Sequence, residues 1–309
     1  MLLFIAAIVV GIVALTWSAD RFVEGACGAA LKFNISPLII GMTIVAIGTS
    51  APEILVSVMA VLEGVPSLAV GNAVGSNIAN IGLALGISAV VLTIPLQSQV
   101  KRRAIPALVA MTAVGIGISL DGTLDFIDGL IALTAGAVAT WFASQGAEPE
   151  EVPEGSDQLG LGKSLMWLAI GLAVLLASSR LLVWGASGAA IELGVPEVIV
   201  GLTIVAIGTS LPEVAASVAG ALKGHPEIAI GNVVGSNIFN MGGVFAVAGL
   251  MTTVSIDSVT LTRDFGLMLG MTLLVAILAW TAGRLNRVAG LALLAVYTSY
   301  LGYLGWSTL

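Results

Sequence analysis

An all-α polytopic membrane protein, with ten transmembrane helices arranged as two inverted five-helix repeats, is the fold class this sequence predicts. Three observations carry the prediction: an apolar composition, apolar runs of bilayer-spanning length, and an internal duplication whose copies each hold an odd number of such runs. Of 309 residues, 58% are apolar and 9% are charged, and the mean hydropathy is +1.09. Soluble domains carry about 25% charged residues, so most of this chain's surface is built to face lipid.

Crossing roughly 30 Å of hydrocarbon takes about 20 apolar residues in a helix. Runs of that kind lie at 2–19, 35–62, 66–92, 104–120, 124–142, 164–183, 195–222, 226–252, 260–280 and 286–306. The first has no basic residues before it and no clear small-residue cleavage site, and reads as a retained helix rather than a signal peptide. With the N-terminus outside, Arg21, Lys32, Lys101, Arg102, Arg103, Lys163, Lys223, Arg284 and Arg287 fall on the cytoplasmic side, and Arg180 and Arg263 outside. That asymmetry follows the positive-inside rule and supports ten spans independently of hydropathy. Both termini are expected to be extracytoplasmic, in the cell (inner or plasma) membrane.

The duplication is visible by eye. IVAIGTSAPE, Ile44 to Glu53, returns as IVAIGTSLPE, Ile204 to Glu213, and at an ungapped offset of 160 residues 39–82 match residues 199–242 at 27 of 44 positions. The domain reading follows: a first repeat at 1–143, an acidic cytoplasmic linker at 144–163, and a second repeat at 164–309. Much of the acid behind the net charge of −7 sits in the linker run EPEEVPEGSD, so the charge says little about partners. Because each copy holds five spans, the second enters the membrane the opposite way round from the first. Inverted repeats with broken helices near the midplane are the mark of secondary transporters.

One cysteine, Cys27, and one histidine, His225, exclude an intramolecular disulfide and argue against a His/Cys metal site. Any bound ion is therefore held by oxygen. Glu53 lies inside a 28-residue apolar run, where a carboxylate costs about 2.5–3.5 kcal/mol on insertion scales. Pro52 has no N–H to give the Gly48 carbonyl, and Gly48 adds freedom in the same turn, so carbonyls over Ala46 to Thr49 can turn toward a ligand. Ser50 and Ser57 stand three before and four after Glu53, on its helix face. A Gly-Pro kink alone could be structural, but the acid and the second copy favour a site. The next span carries GNAVGSNIAN from Gly71, repeated as GNVVGSNIFN from Gly231. Ser76 with Asn80, and Ser236 with Asn240, are spaced i and i+4; close helix packing at small residues is the alternative here, above all for Asn77 and Asn237. Carboxylates, hydroxyls, amides and carbonyls together suit a hard cation, and Ca²⁺ with 6–8 oxygens in flexible geometry better than Mg²⁺. Two glutamates balance one Ca²⁺, and Na⁺ can use the same oxygens. Competition for shared ligands is antiport.

The pairs GTSAPE with GSNIAN and GTSLPE with GSNIFN resemble the alpha repeats of the cation/calcium antiporter superfamily, in particular its sodium/calcium exchanger family in the prokaryotic form without a regulatory domain. The resemblance implies a non-enzymatic secondary transporter that trades Na⁺ for Ca²⁺ by alternating access and exports Ca²⁺ on the sodium gradient. It needs no cofactor, its substrates are Ca²⁺ and Na⁺, its surroundings are the lipid bilayer, and nucleic acid has no part. It further implies Glu53 and Glu213 as ligands of Ca²⁺ and Na⁺. The carbonyls of Ala46, Thr49, Ala206 and Thr209, with Ser50, Ser210, Ser76 and Ser236, would complete the sodium sites, and Asn80 and Asn240 the central layer. Some relatives carry Asp where Asn240 stands, a departure that favours potassium independence and leaves stoichiometry open. The linker is too short for the regulatory insert of animal exchangers. In the family the first and sixth helices slide over the rest; here those are 2–19 and 164–183. A calcium/proton antiporter using the same glutamates is the nearest rival, followed by a cation channel with a carboxylate filter and a non-transporting scaffold.

Overall fold

The computed structural model describes residues 1–146, 159–195, 200, 204 and 206–307. Helix α1 (Leu2–Phe33) ends where Asn34 takes a left-handed conformation, φ 55° and ψ 42°. The Ser36 hydroxyl accepts the Leu38 N–H and Pro37 fills the first turn, opening α2 (Pro37–Thr49). Helix α3 (Ala51–Leu62) continues from it after a break at Ser50, the two meeting at a 41° bend. Then come α4 (Ser67–Val91), strand β1 (Ile94–Pro95), α5 (100–117), strand β2 (Thr123–Leu124) and α6 (Phe126–Ser144). Asp125 starts α6 through a reciprocal capping box with Asp128.

The second half repeats the order with α7 (Leu161–Glu192), α8 (Ala206–Thr209), α9 (Leu211–Leu222), α10 (Pro226–Met251), β3 (Val254–Ser255), α11 (Thr260–Thr281), β4 (Arg284–Leu285) and α12 (Arg287–Ser307). The strands join the halves crosswise. β1 pairs antiparallel with β4, Ile94 opposite Leu285, and β2 with β3, Leu124 opposite Val254.

Among the described residues, seven helices are long and apolar enough to cross a membrane, and eight if the bent α2–α3 pair is one span. Apolar side chains such as Val13, Leu133, Trp141, Ile277, Trp280 and Trp306 face outward, as lipid requires. This is a multi-pass membrane protein. Of the other expected spans, 104–120 lies in α5 up to Gly117 and ends in a turn at 118–120, and 195–222 lies partly outside the described residues. The linker expected at 144–163 falls mostly outside them too.

Two expected spans need correction. The first and sixth runs, read as 2–19 and 164–183, extend to 32 residues each as α1 and α7. Asp20, Arg21 and Glu24 interrupt the apolar run, but the helix continues because Gly25, Ala26, Ala29 and Ala30 are buried against neighbouring helices. At 1.5 Å per residue each is about 48 Å long, so each tilts or emerges from the hydrocarbon. The centre belongs to α4 and α10, whose most apolar stretches are 72% and 78% buried, against 22–39% for the other long apolar helices.

Candidate ion-binding site

The site is assembled where the two broken helices meet α4 and α10. Pro52 sits in the first turn of α3, and Ser50 before it leaves helical geometry at φ −82°, ψ 5°. Ser210 does the same at φ −88°, ψ 2° before Pro212 and α9. Each break thereby places its glutamate in the first turn of a new helix, the end whose free N–H groups favour negative charge. Glu53 and Glu213 are both fully buried.

The two halves touch here. The Ser50 hydroxyl donates to Glu213 Oε1 across 3.1 Å. Among the described residues, Glu213 Oε2 and both carboxylate oxygens of Glu53 have no hydrogen-bond partner, nor do the buried hydroxyls of Ser210 and Ser236 or the side-chain amides of Asn80 and Asn240. Buried polar groups are almost always paired, and each unpaired one costs about 1–3 kcal/mol, more if charged. Such a concentration marks a place built for a guest. The acceptors are all oxygen, which suits a hard cation; among the described residues no three His, Cys, Asp or Glu side chains cluster as a metal group.

The remaining expected residues divide. Ser76 is buried on α4. Thr49 is buried, and its hydroxyl lies 3.3 Å from the Ala46 carbonyl and 3.2 Å from Asn232 Oδ1; Thr209 is half-buried. The Ala46 carbonyl also accepts the Ser50 N–H at 3.0 Å, which engages one of its two lone pairs. Ala206 begins α8. Asn77 and Asn237, read as packing or site, bond one another: each side-chain amide donates to the other's backbone carbonyl at 3.3 Å.

Sequence reasoning missed a supporting layer. Asn72 donates from its amide to the Glu53 carbonyl at 3.0 Å and to Ser57 Oγ at 3.1 Å, and Asn232 does the same to Glu213 at 3.2 Å and Ser217 at 2.9 Å. These bonds fix the backbone on which each carboxylate stands. The signal was present, since Asn72 precedes Ser76 by four residues and so shares its face. Also missed were π-helical segments starting at Asn80 and Asn240, a distortion that recurs at functional sites.

Fold and site together define a helical membrane protein with a buried polar centre, its acceptors all oxygen, shared between two sequence repeats. The chain belongs to the sodium/calcium exchanger protein family, whose model matches residues 3–144 and 163–306. It is 42% identical over 290 residues to a protein of Alkalimonas amylolytica named as the antiporter CaxA, covering 91% of each chain. It is 39% identical over 292 residues to the inner membrane protein YrbG of Escherichia coli (strain K12), covering 91% of this chain and 90% of that one. Among solved structures, the sodium-calcium exchanger NCX_Mj superimposes with a TM-score of 0.87 at 33% identity, covering 97% of this chain and 98% of that chain.

Proposed function

We propose that this protein is a secondary antiporter that exchanges Na⁺ for Ca²⁺ by alternating access and exports Ca²⁺ on an inward sodium gradient. The observation that carries the reading is the pair of buried glutamates, one from each repeat, with Ser50 of the first repeat bonded to Glu213 of the second and, among the described residues, both Glu53 oxygens and one Glu213 oxygen unpaired. Two carboxylates match the charge of one Ca²⁺, and the surrounding neutral oxygens suit Na⁺. Ligands that both ions need cannot serve both at once, and that exclusivity couples the fluxes.

In this reading Glu53 and Glu213 hold Ca²⁺ and share Na⁺ with Ser50, Ser210, Ser76, Ser236 and the carbonyls of Ala46, Thr49, Ala206 and Thr209, while Asn80 and Asn240 complete the central layer. Ten spans form two inverted five-helix repeats, 1–143 and 164–309, with the linker in the cytoplasm and both termini outside. Crosswise strand pairing and the mutual Asn77–Asn237 bonds support a two-fold relation between the halves.

The test is calcium uptake into proteoliposomes loaded with sodium and diluted into sodium-free buffer, with a pH-gradient control. Uptake driven by outward sodium is expected. Uptake driven only by protons would keep the site and replace the coupling ion, giving a calcium/proton antiporter.

A further inference from the structure

The 160-residue correspondence reaches beyond the repeated motifs. Where α1 crosses α7, Gly11 abuts Leu182 while Gly171 abuts Phe22, and Gly25 abuts Ser164 and Leu168 while Gly185 abuts Phe4 and Ile8. Every contact recurs with its partners exchanged at that offset, which equates Asp20 on α1 with Arg180 on α7. Past the ends of α3 and α9, Glu63 and Lys223 share one cap conformation, φ −83°, ψ 1° and φ −80°, ψ 0°. Each precedes a glycine of positive φ, 78° at Gly64 and 79° at Gly224, which equates Glu63 with Lys223.

One of the two cross-contacts is closed. Lys223 Nζ lies 2.7 Å from Asp20 Oδ1, and α1 packs along α9. The other would join Arg180 to Glu63 with the signs reversed. Both are exposed, and among the described residues neither has an ion-pair partner. Between α7 and α3 there is instead a cavity of about 250 Å³, lined by Pro52, Val56, Leu176, Ser179, Arg180 and Thr209 among others. It runs from Arg180 to the repeated motifs themselves.

We propose that Asp20–Lys223 and Arg180–Glu63 are alternating ion-pair latches, the first holding one face of the molecule shut here and the second forming when the other face closes. The inference rests on the alternating-access reading, in which the opposite-facing state exchanges the arrangements of two inverted halves. That exchange breaks Asp20–Lys223 and brings Arg180 to Glu63, closing the cavity. Partly exposed pairs are weak, which suits contacts that must open in every cycle.

The test uses cysteine pairs in a Cys27→Ala background, reconstituted into liposomes with a short, reducible bis-methanethiosulfonate cross-linker. Asp20→Cys with Lys223→Cys, and Glu63→Cys with Arg180→Cys, are each expected to link. Each link should lower sodium-driven calcium uptake at least ten-fold until reductant restores it. In the protein with all four cysteines, a single molecule should carry one link or the other. Asp20→Asn should raise the yield of the 63–180 link at least two-fold. A 63–180 pair that never links in protein that exchanges, or both links in one molecule, overturns the latches. Absence of sodium-driven uptake in the unmodified protein strikes the transport reading instead, and the linking pattern still decides the latches.

Discussion

Ser50 and Glu213 stand 163 residues apart, and the hydroxyl of one donates to the carboxylate of the other across 3.1 Å. Hydrogen bonds to charged groups contribute about 1.5–3 kcal/mol, which corresponds to roughly ten- to a hundred-fold in an equilibrium constant. Ser50→Ala is therefore expected to lower calcium affinity by at least ten-fold in equilibrium ⁴⁵Ca²⁺ binding without loss of fold; wild-type affinity would show that this bridge carries no weight. Glu53→Gln and Glu213→Gln each remove the charge while keeping shape, and each should drop exchange to background in the vesicle assay. Exchange surviving in either variant contradicts the assigned ligands. The glutamates were legible in the sequence because an acid inside an apolar run is costly and was found twice. Asn72 and Asn232 were legible only as sharing a helix face with Ser76 and Ser236; their bonds to a backbone carbonyl and a serine on another helix were not, because spacing along one helix does not reveal contacts between helices.

At the scale of elements, the breaks before Glu53 and Glu213 follow from Ser-x-Pro-Glu, a local signal that proline makes reliable. Helix length was less legible. Charges at Asp20, Arg21 and Glu24 end an apolar run without ending a helix, because hydropathy measures the solvent and not the backbone. The π-helical segments leave no periodic trace either. Close crossings, by contrast, rest on particular glycines: an added Cβ on Gly136 of α6 would stand 2.6 Å from the Gly242 Cα of α10, and the converse holds at Gly242. Backbone on both sides leaves nothing flexible to yield, and overpacking of this kind costs about 1–3 kcal/mol or more. Gly136→Val should lower the melting temperature in detergent, whereas the same change at Gly266, whose surroundings are open, should leave it nearly unaltered. Equal effects at the two positions would contradict the crossing.

For the molecule as a whole, a centre rich in unpaired oxygens predicts that its guest stabilises it. A ligand that binds only the folded state adds RT ln(1 + [L]/Kd), about 2.7 kcal/mol at a hundred times Kd. Calcium should therefore raise the unfolding temperature of the purified protein, a chelator should reverse the rise, and Glu53→Gln should abolish it; a rise that persists in that variant would place the ion elsewhere. The duplication was readable from the repeated motifs, whereas the crosswise strand pairs were not, since each strand is two residues long. The mutual bonds of Asn77 and Asn237 carry one more implication. Swapping the roles of the halves turns that pair into itself, so it has no before and after. Whatever else rearranges, these two amides can stay clasped, like the pin of a hinge, and two spin labels flanking them, one on each repeat, should report the same distance throughout the cycle.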